Sequence, residues 1–73
     1  MNLEARMRAR LDPAANMALR KKAGISRAEL AEAVGVSMCT LWRWEQGDRI
    51  PNGRHAEIYG ELLTRLETVT HDR

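Results

Sequence analysis

Ser26-Arg27-Ala28-Glu29-Leu30-Ala31-Glu32-Ala33-Val34-Gly35-Val36-Ser37-Met38-Cys39-Thr40-Leu41-Trp42-Arg43-Trp44-Glu45-Gln46-Gly47 holds, in 22 residues, two complete sets of helix start and stop signals. Ser26 with Glu29 three positions on is a capping box, in which the hydroxyl accepts from the Glu29 N–H and the carboxylate reaches back to the Ser26 N–H. Gly35 supplies the stop, so the spacing predicts a helix over 27–34 with Leu30, Ala31 and Val34 on one face. Ser37 caps a second helix, Met38 to Gln46, which Gly47 ends. Only Gly35, Val36 and Ser37 separate the two, and short helices that close together must cross steeply.

Placed at 100° per step from Met38, residues Thr40, Leu41 and Trp44 fall between about 200° and 300° of the helical wheel. Met38, Cys39, Trp42, Arg43 and Gln46 fall between about 0° and 140° on the same wheel. Trp42 and Trp44 are roughly 200° apart, so at most one of them can face a core. Trp44 sides with Leu41 and is assigned inward; Trp42 sides with Arg43 and Gln46 and is assigned outward. A Trp exposed beside an Arg, on a helix supported by a shorter one, makes a reading surface that fits the major groove of DNA. Its plainer rival is a Trp lying flat on the rim of its own domain.

Upstream, Asp12-Pro13 is an N-cap with proline at the first helical position and Gly24 is a stop, which predicts a helix from about 13 to 23. Residues 1–11 precede it as either a short helix or an arm. Downstream, Pro51 and Asn52 open a final helix over 53–69, with Gly60 its one strong breaker candidate. On a wheel started at Ala56, residues Ile58, Val69, Leu62, Leu66, Tyr59, Leu63 and Ala56 share one arc of roughly 160°, wider than the 100° or so that covers a small core. The surplus side, with Ile58, Leu62, Leu66 and Val69, is expected to meet a second copy in a homodimer.

The whole chain of 73 residues has room for one domain, and a chain of this size buries only about 60% of its unfolded surface. β-branched residues are few, Phe is absent and no segment alternates apolar with polar for long, so strands are not expected. The fold class is all-α, with four to five helices. Residues 1–27 carry seven basic and two acidic groups, whereas 28–73 carry five and eight, so the front of the chain is the polyanion-facing part. No apolar run approaches the roughly 18 residues of a membrane span and no secretory signal is present, which sets the expectation of a cytoplasmic, nucleoid-associated protein. Cys39 stands alone among the thiols, and with His55 and His71 it suggests no metal site. Ser26 and Ser37 are helix caps, neither His has a nucleophile or orienting carboxylate beside it, and no phosphate-cradling glycine loop occurs. Neither an enzyme, a cofactor nor a small-molecule substrate is expected.

The run from Gly24 through Ser37, continued by Thr40-Leu41, Arg43-Trp44-Glu45-Gln46-Gly47 and Pro51, resembles the lambda-repressor-like (Xre/Cro-type) helix-turn-helix family without a gap. The resemblance implies that 27–46 is the helix-turn-helix and 38–46 its recognition helix. It places Met38, Cys39, Trp42 and Arg43 at base-reading positions and Arg27 at a phosphate, with Ser37, Thr40 and Arg49 as further phosphate candidates. Thr40 has a structural role as its rival reading. Arg43 is the strongest single candidate, because a guanidinium holds guanine O6 and N7 bidentately. Arg20 and Glu45 match a pair that in the family bridges the first and third helices. The family usually offers Gln, Asn, Ser or Arg where this chain has Met, Cys and Trp, so thymine methyls and DNA shape must carry more of the readout. Asn16 and Gly53 stand where the family usually has large apolar residues.

The partner implied is double-stranded DNA with a pseudo-palindromic operator, bound by a homodimer whose half-sites lie about 34 Å apart. The leading function is a sequence-specific transcriptional regulator, a repressor of bacterial, phage, plasmid or other mobile-element type. Two alternatives stand beside it. One is an antitoxin-type interaction module gripping a protein with Trp42 and the last helix. The other is an excisionase-like architectural protein, which needs a β-hairpin wing in residues 47–55.

Overall fold

The computed structural model describes residues 12–71, and residues 1–11, expected to form an arm or short helix, lie outside them. Among the described residues four helices follow one another: α1 (Pro13–Lys22), α2 (Arg27–Val34), α3 (Met38–Gln46) and α4 (Gly53–His71). No strand occurs among the described residues, so residues 47–52 form no wing and the excisionase-like reading loses the element it needs.

Each expected cap forms. Asp12 Oδ1 accepts from the Ala15 N–H at 3.1 Å, and Pro13 fills the first turn, where a missing N–H costs nothing. In the capping box, the Glu29 N–H donates to Ser26 Oγ at 3.0 Å and the Ser26 N–H donates to Glu29 Oε1 at 2.9 Å. Gly35, at φ +94°, turns the chain out of α2, and the Gly35 and Val36 N–H groups both return to the Ala31 carbonyl. Ser37 Oγ accepts from the Thr40 N–H at 3.1 Å and starts α3. This left-handed turn links α2 to α3 in three residues.

The core is Leu30, Ala31 and Val34 from α2, Leu41 and Trp44 from α3, and Tyr59 and Leu63 from α4, with Leu19, Ile25, Val36 and Leu62 packed around it. Leu41 and Leu63 have no exposed surface, and the Trp44 and Tyr59 rings lie 5.0 Å apart at 40°, within the range where aromatic pairs attract. α3 packs on both α1 and α2, and α4 on the same two, so the recognition candidate rests on a scaffold rather than projecting from a loop.

α4 runs straight through Gly60 to His71, two residues beyond the expected end. The Thr64 hydroxyl donates to the Gly60 carbonyl at 2.9 Å, the i−4 bond that a threonine inside a helix makes to its own backbone. Gly53, in a position where bulk was expected, has φ +65°, a backbone state that only glycine adopts without strain; the turn into α4 explains the residue. Along the wide apolar arc, Tyr59 and Leu63 are buried, Ile58, Leu62 and Leu66 are half-buried and Val69 is exposed.

Candidate nucleic-acid interface

α3 has the two faces the wheel predicts. Leu41 and Trp44 point inward, Trp44 with 6% of its surface accessible, while Met38 (53%) and Trp42 (42%) are open to solvent. Cys39, Arg43 and Gln46 are exposed beside them. Met38, Trp42 and Gln46, each four apart, form one row on this face, and Cys39 and Arg43 form the next. Trp42 therefore does not lie sealed against its own domain, and the five outward side chains make a continuous strip.

The sixth residue of interest points the other way. Glu45 is only 3% exposed and accepts from Arg20 Nε at 2.6 Å, Arg20 Nη2 at 3.1 Å and Arg27 Nε at 3.1 Å. Arg20 Nη1 also donates to the Ile25 carbonyl at 2.9 Å, so the buried guanidinium is held on both of its edges. One carboxylate thus ties α1 and α2 to α3. The wheel leaves Glu45 at about 340°, beside the outward Met38, so periodicity alone would have exposed it. Its partners, not its register, bury it.

The electrostatic result matters for binding. Glu45 is the sole carboxylate in α3, and its charge is consumed inside by two guanidinium groups; the outward strip carries Arg43 and no anion. Such a face approaches a polyanion without repulsion from its own helix.

The phosphate candidates are distributed differently. Arg27 stands at the start of α2 with about a third of its side chain accessible, but its Nε is committed to Glu45. The first turn of α2 is also occupied by Glu29, whose carboxyl is held below its ordinary value by the hydrogen bonds from the Ser26 backbone and hydroxyl. A carboxylate already seated at a helix N-terminus opposes a phosphate there. Ser37 Oγ donates to Thr40 Oγ1 at 2.9 Å as well as accepting from the Thr40 N–H, so both hydroxyls serve the cap. Arg49 is exposed in the loop after α3. The structure therefore brings Met38, Cys39, Trp42 and Arg43 onto one surface with Gln46, a residue that shared their arc but had been given no part in reading. Of the interface candidates on α4, Val69 is the most exposed at 56% and Leu62 is partly used by its own core.

Among the described residues, no group of three His, Cys, Asp or Glu is placed to hold a metal ion, and no helix is long and apolar enough to cross a membrane. Residues 17–64 match a family model described as Helix-turn-helix, about two thirds of the chain. No curated protein and no solved structure matches.

Proposed function

This chain belongs to the lambda-repressor-like (Xre-type) helix-turn-helix family of DNA-binding transcription regulators, and from that premise we propose that it is a sequence-specific repressor that docks α3 in the major groove of its operator. The observation that carries this reading is the outward face of α3, exposed along its length, free of carboxylates and bearing Arg43. In this reading Met38, Cys39, Trp42 and Arg43 meet base edges, and Arg43 takes a guanine. Arg27 and Arg49 contact phosphate, positioning the domain without reading sequence. Ser37 fixes the start of α3, both its hydroxyl proton and its oxygen being used in the cap, whereas Thr40 accepts from Ser37 and keeps its own hydroxyl proton to donate to a phosphate. Repression follows by occluding a promoter, in the setting of a phage, plasmid or other mobile element, and the protein works in the cytoplasm on the nucleoid.

Residues Ile58, Leu62, Leu66 and Val69 support a homodimer, because their edge of α4 is more apolar than one small core consumes. A twofold dimer then calls for a pseudo-palindromic operator. Sedimentation of the purified chain tests this part: a monomer at tens of micromolar would remove it.

Fluorescence anisotropy on genomic fragments at two salt concentrations tests the reading as a whole. Binding that falls steeply with salt yet still ranks the fragments is expected, and equal affinity for every fragment would defeat it. A second reading, an antitoxin-type module, draws on the exposure of Trp42 and Val69, both of which fit a protein partner. A chain that is insoluble without a co-expressed neighbour would favour it.

A further inference from the structure

We propose that α3 recognises thymine through its C5-methyl group, so that Met38 and Trp42 select thymines in the operator while Arg43 selects a guanine next to them. This rests on α3 being the DNA-reading helix, and it names what that helix reads.

The chemistry of the strip is uneven along its length. A thioether is a weak acceptor, a thiol a weak donor, and an indole offers one donor at its edge; none can pair two base atoms at once. The groups able to do so, Arg43 and Gln46, stand in the second half of the helix. Met38 and Trp42 expose about half of their surfaces and sit four residues apart, so they present one apolar row to whatever covers them. In the major groove every base edge is lined with donors and acceptors, and thymine alone adds an apolar group. Covering guanine, cytosine or adenine with this row would strip water from polar atoms and give them no partner, whereas covering a thymine methyl buries apolar surface on both sides. Preference therefore arises twice, by loss at the wrong base and by gain at the right one. The row is also flanked on its own face by a cation and by no anion, which matches a duplex better than a typical apolar protein groove.

The test uses the full 73-residue chain and a pool of random-sequence duplexes, from which bound sites are enriched. In the enriched duplex, each thymine is replaced singly by uracil, which lacks only the methyl, and then by 5-bromouracil, which restores the bulk. About a fourfold loss of affinity with uracil is expected at one or two thymines per half-site, the amount one buried methyl is worth, with recovery on bromouracil. Met38→Ala and Trp42→Ala, both at exposed positions, should keep the parent melting curve and bind uracil and thymine alike at those positions. Arg43→Ala should lose the guanine preference and keep the thymine–uracil difference. If a site is enriched but uracil substitutes freely at every thymine, methyl recognition is wrong while DNA reading stands. If no sequence is enriched, or the strip is instead covered by a protein partner, both readings fall together.

Discussion

Arg27 Nε and Arg20 Nη2 each lie 3.1 Å from the same oxygen of Glu45, Oε1, although the two arginines belong to different helices. The shared carboxylate holds the crossing of α2 and α3 in place from beneath, where the intervening turn holds it from the side. Ion pairs on a surface contribute little, but breaking a buried one leaves charges without partners.

Removing that carboxylate should therefore be severe. Glu45→Ala is expected to cost about 3 to 5 kcal/mol, against a total of roughly 4 to 11 kcal/mol for a domain of this size. Urea denaturation measures it, and a loss below about 1 kcal/mol would show that the network does not hold the helices together.

Arg27→Ala should behave differently, because its pair with Glu45 is partly exposed and Arg20 remains to neutralise the carboxylate. A loss of no more than about 1 kcal/mol is expected. If Arg27 also meets a phosphate, the slope of log affinity against log salt should flatten by about one unit, equally for all sequences. An unchanged slope would leave Arg27 a purely structural residue.

At Arg43 the expectation reverses: no change in melting, since the side chain touches solvent, and a loss of about 1 to 3 kcal/mol of discrimination when it is replaced by Ala. Competition between the selected duplex and bulk DNA measures this. A variant that still ranks sequences like its parent would move the guanine contact elsewhere.

Trp44→Ala opens a hole beneath α3 where the ring meets Tyr59, and should cost about 3 to 5 kcal/mol, enough to unfold much of the population at 37 °C. Trp42→Ala, two residues away, should cost almost nothing. Thermal melts of the pair side by side would expose a mistaken assignment if the order came out inverted.

Alkaline pH should find a weak point at Tyr59. Burial first, and then the negative charge of Glu45, push its hydroxyl up to about 12, with Arg20 opposing. An unfolded tyrosine ionises near 10. The folded state thus holds the proton more tightly; the stabilisation is complete below about pH 10 and is lost as pH rises through about 12, of order 2 to 3 kcal/mol over that window. Denaturant midpoints from pH 8 to 12 should fall accordingly, and Tyr59→Phe should remove most of the fall. An equal fall in the Phe variant would assign it to other groups.

The helices were legible because their ends are chemical. Asp12, Ser26, Glu29, Ser37, Gly35 and Gly47 each satisfy or terminate a set of backbone groups, and those choices are local in sequence. The division between Trp42 and Trp44 was equally legible, since an angle of roughly 200° needs no partner to be informative. Glu45 was not legible from register: its burial depends on Arg20 and Arg27, 25 and 18 residues away, and only the family resemblance pointed to the first of these. Asn16, buried at 4% where bulk was expected, belongs to the same class of long-range arrangement. Ser37 was legible as a cap and Thr40 as a structural residue, but the bond from the Ser37 hydroxyl to that of Thr40 was not, because a cap and a phosphate contact call for the same side chains.

The inward turn of Glu45 separates the legs on which the domain stands from the letters it displays. Met38, Cys39, Trp42, Arg43 and Gln46 contribute nothing to the core cluster, so this helix can be re-lettered in five places while its anchorage stays as it is. A lineage carrying this scaffold can acquire new targets by drift on one strip, without first passing through an unfolded intermediate.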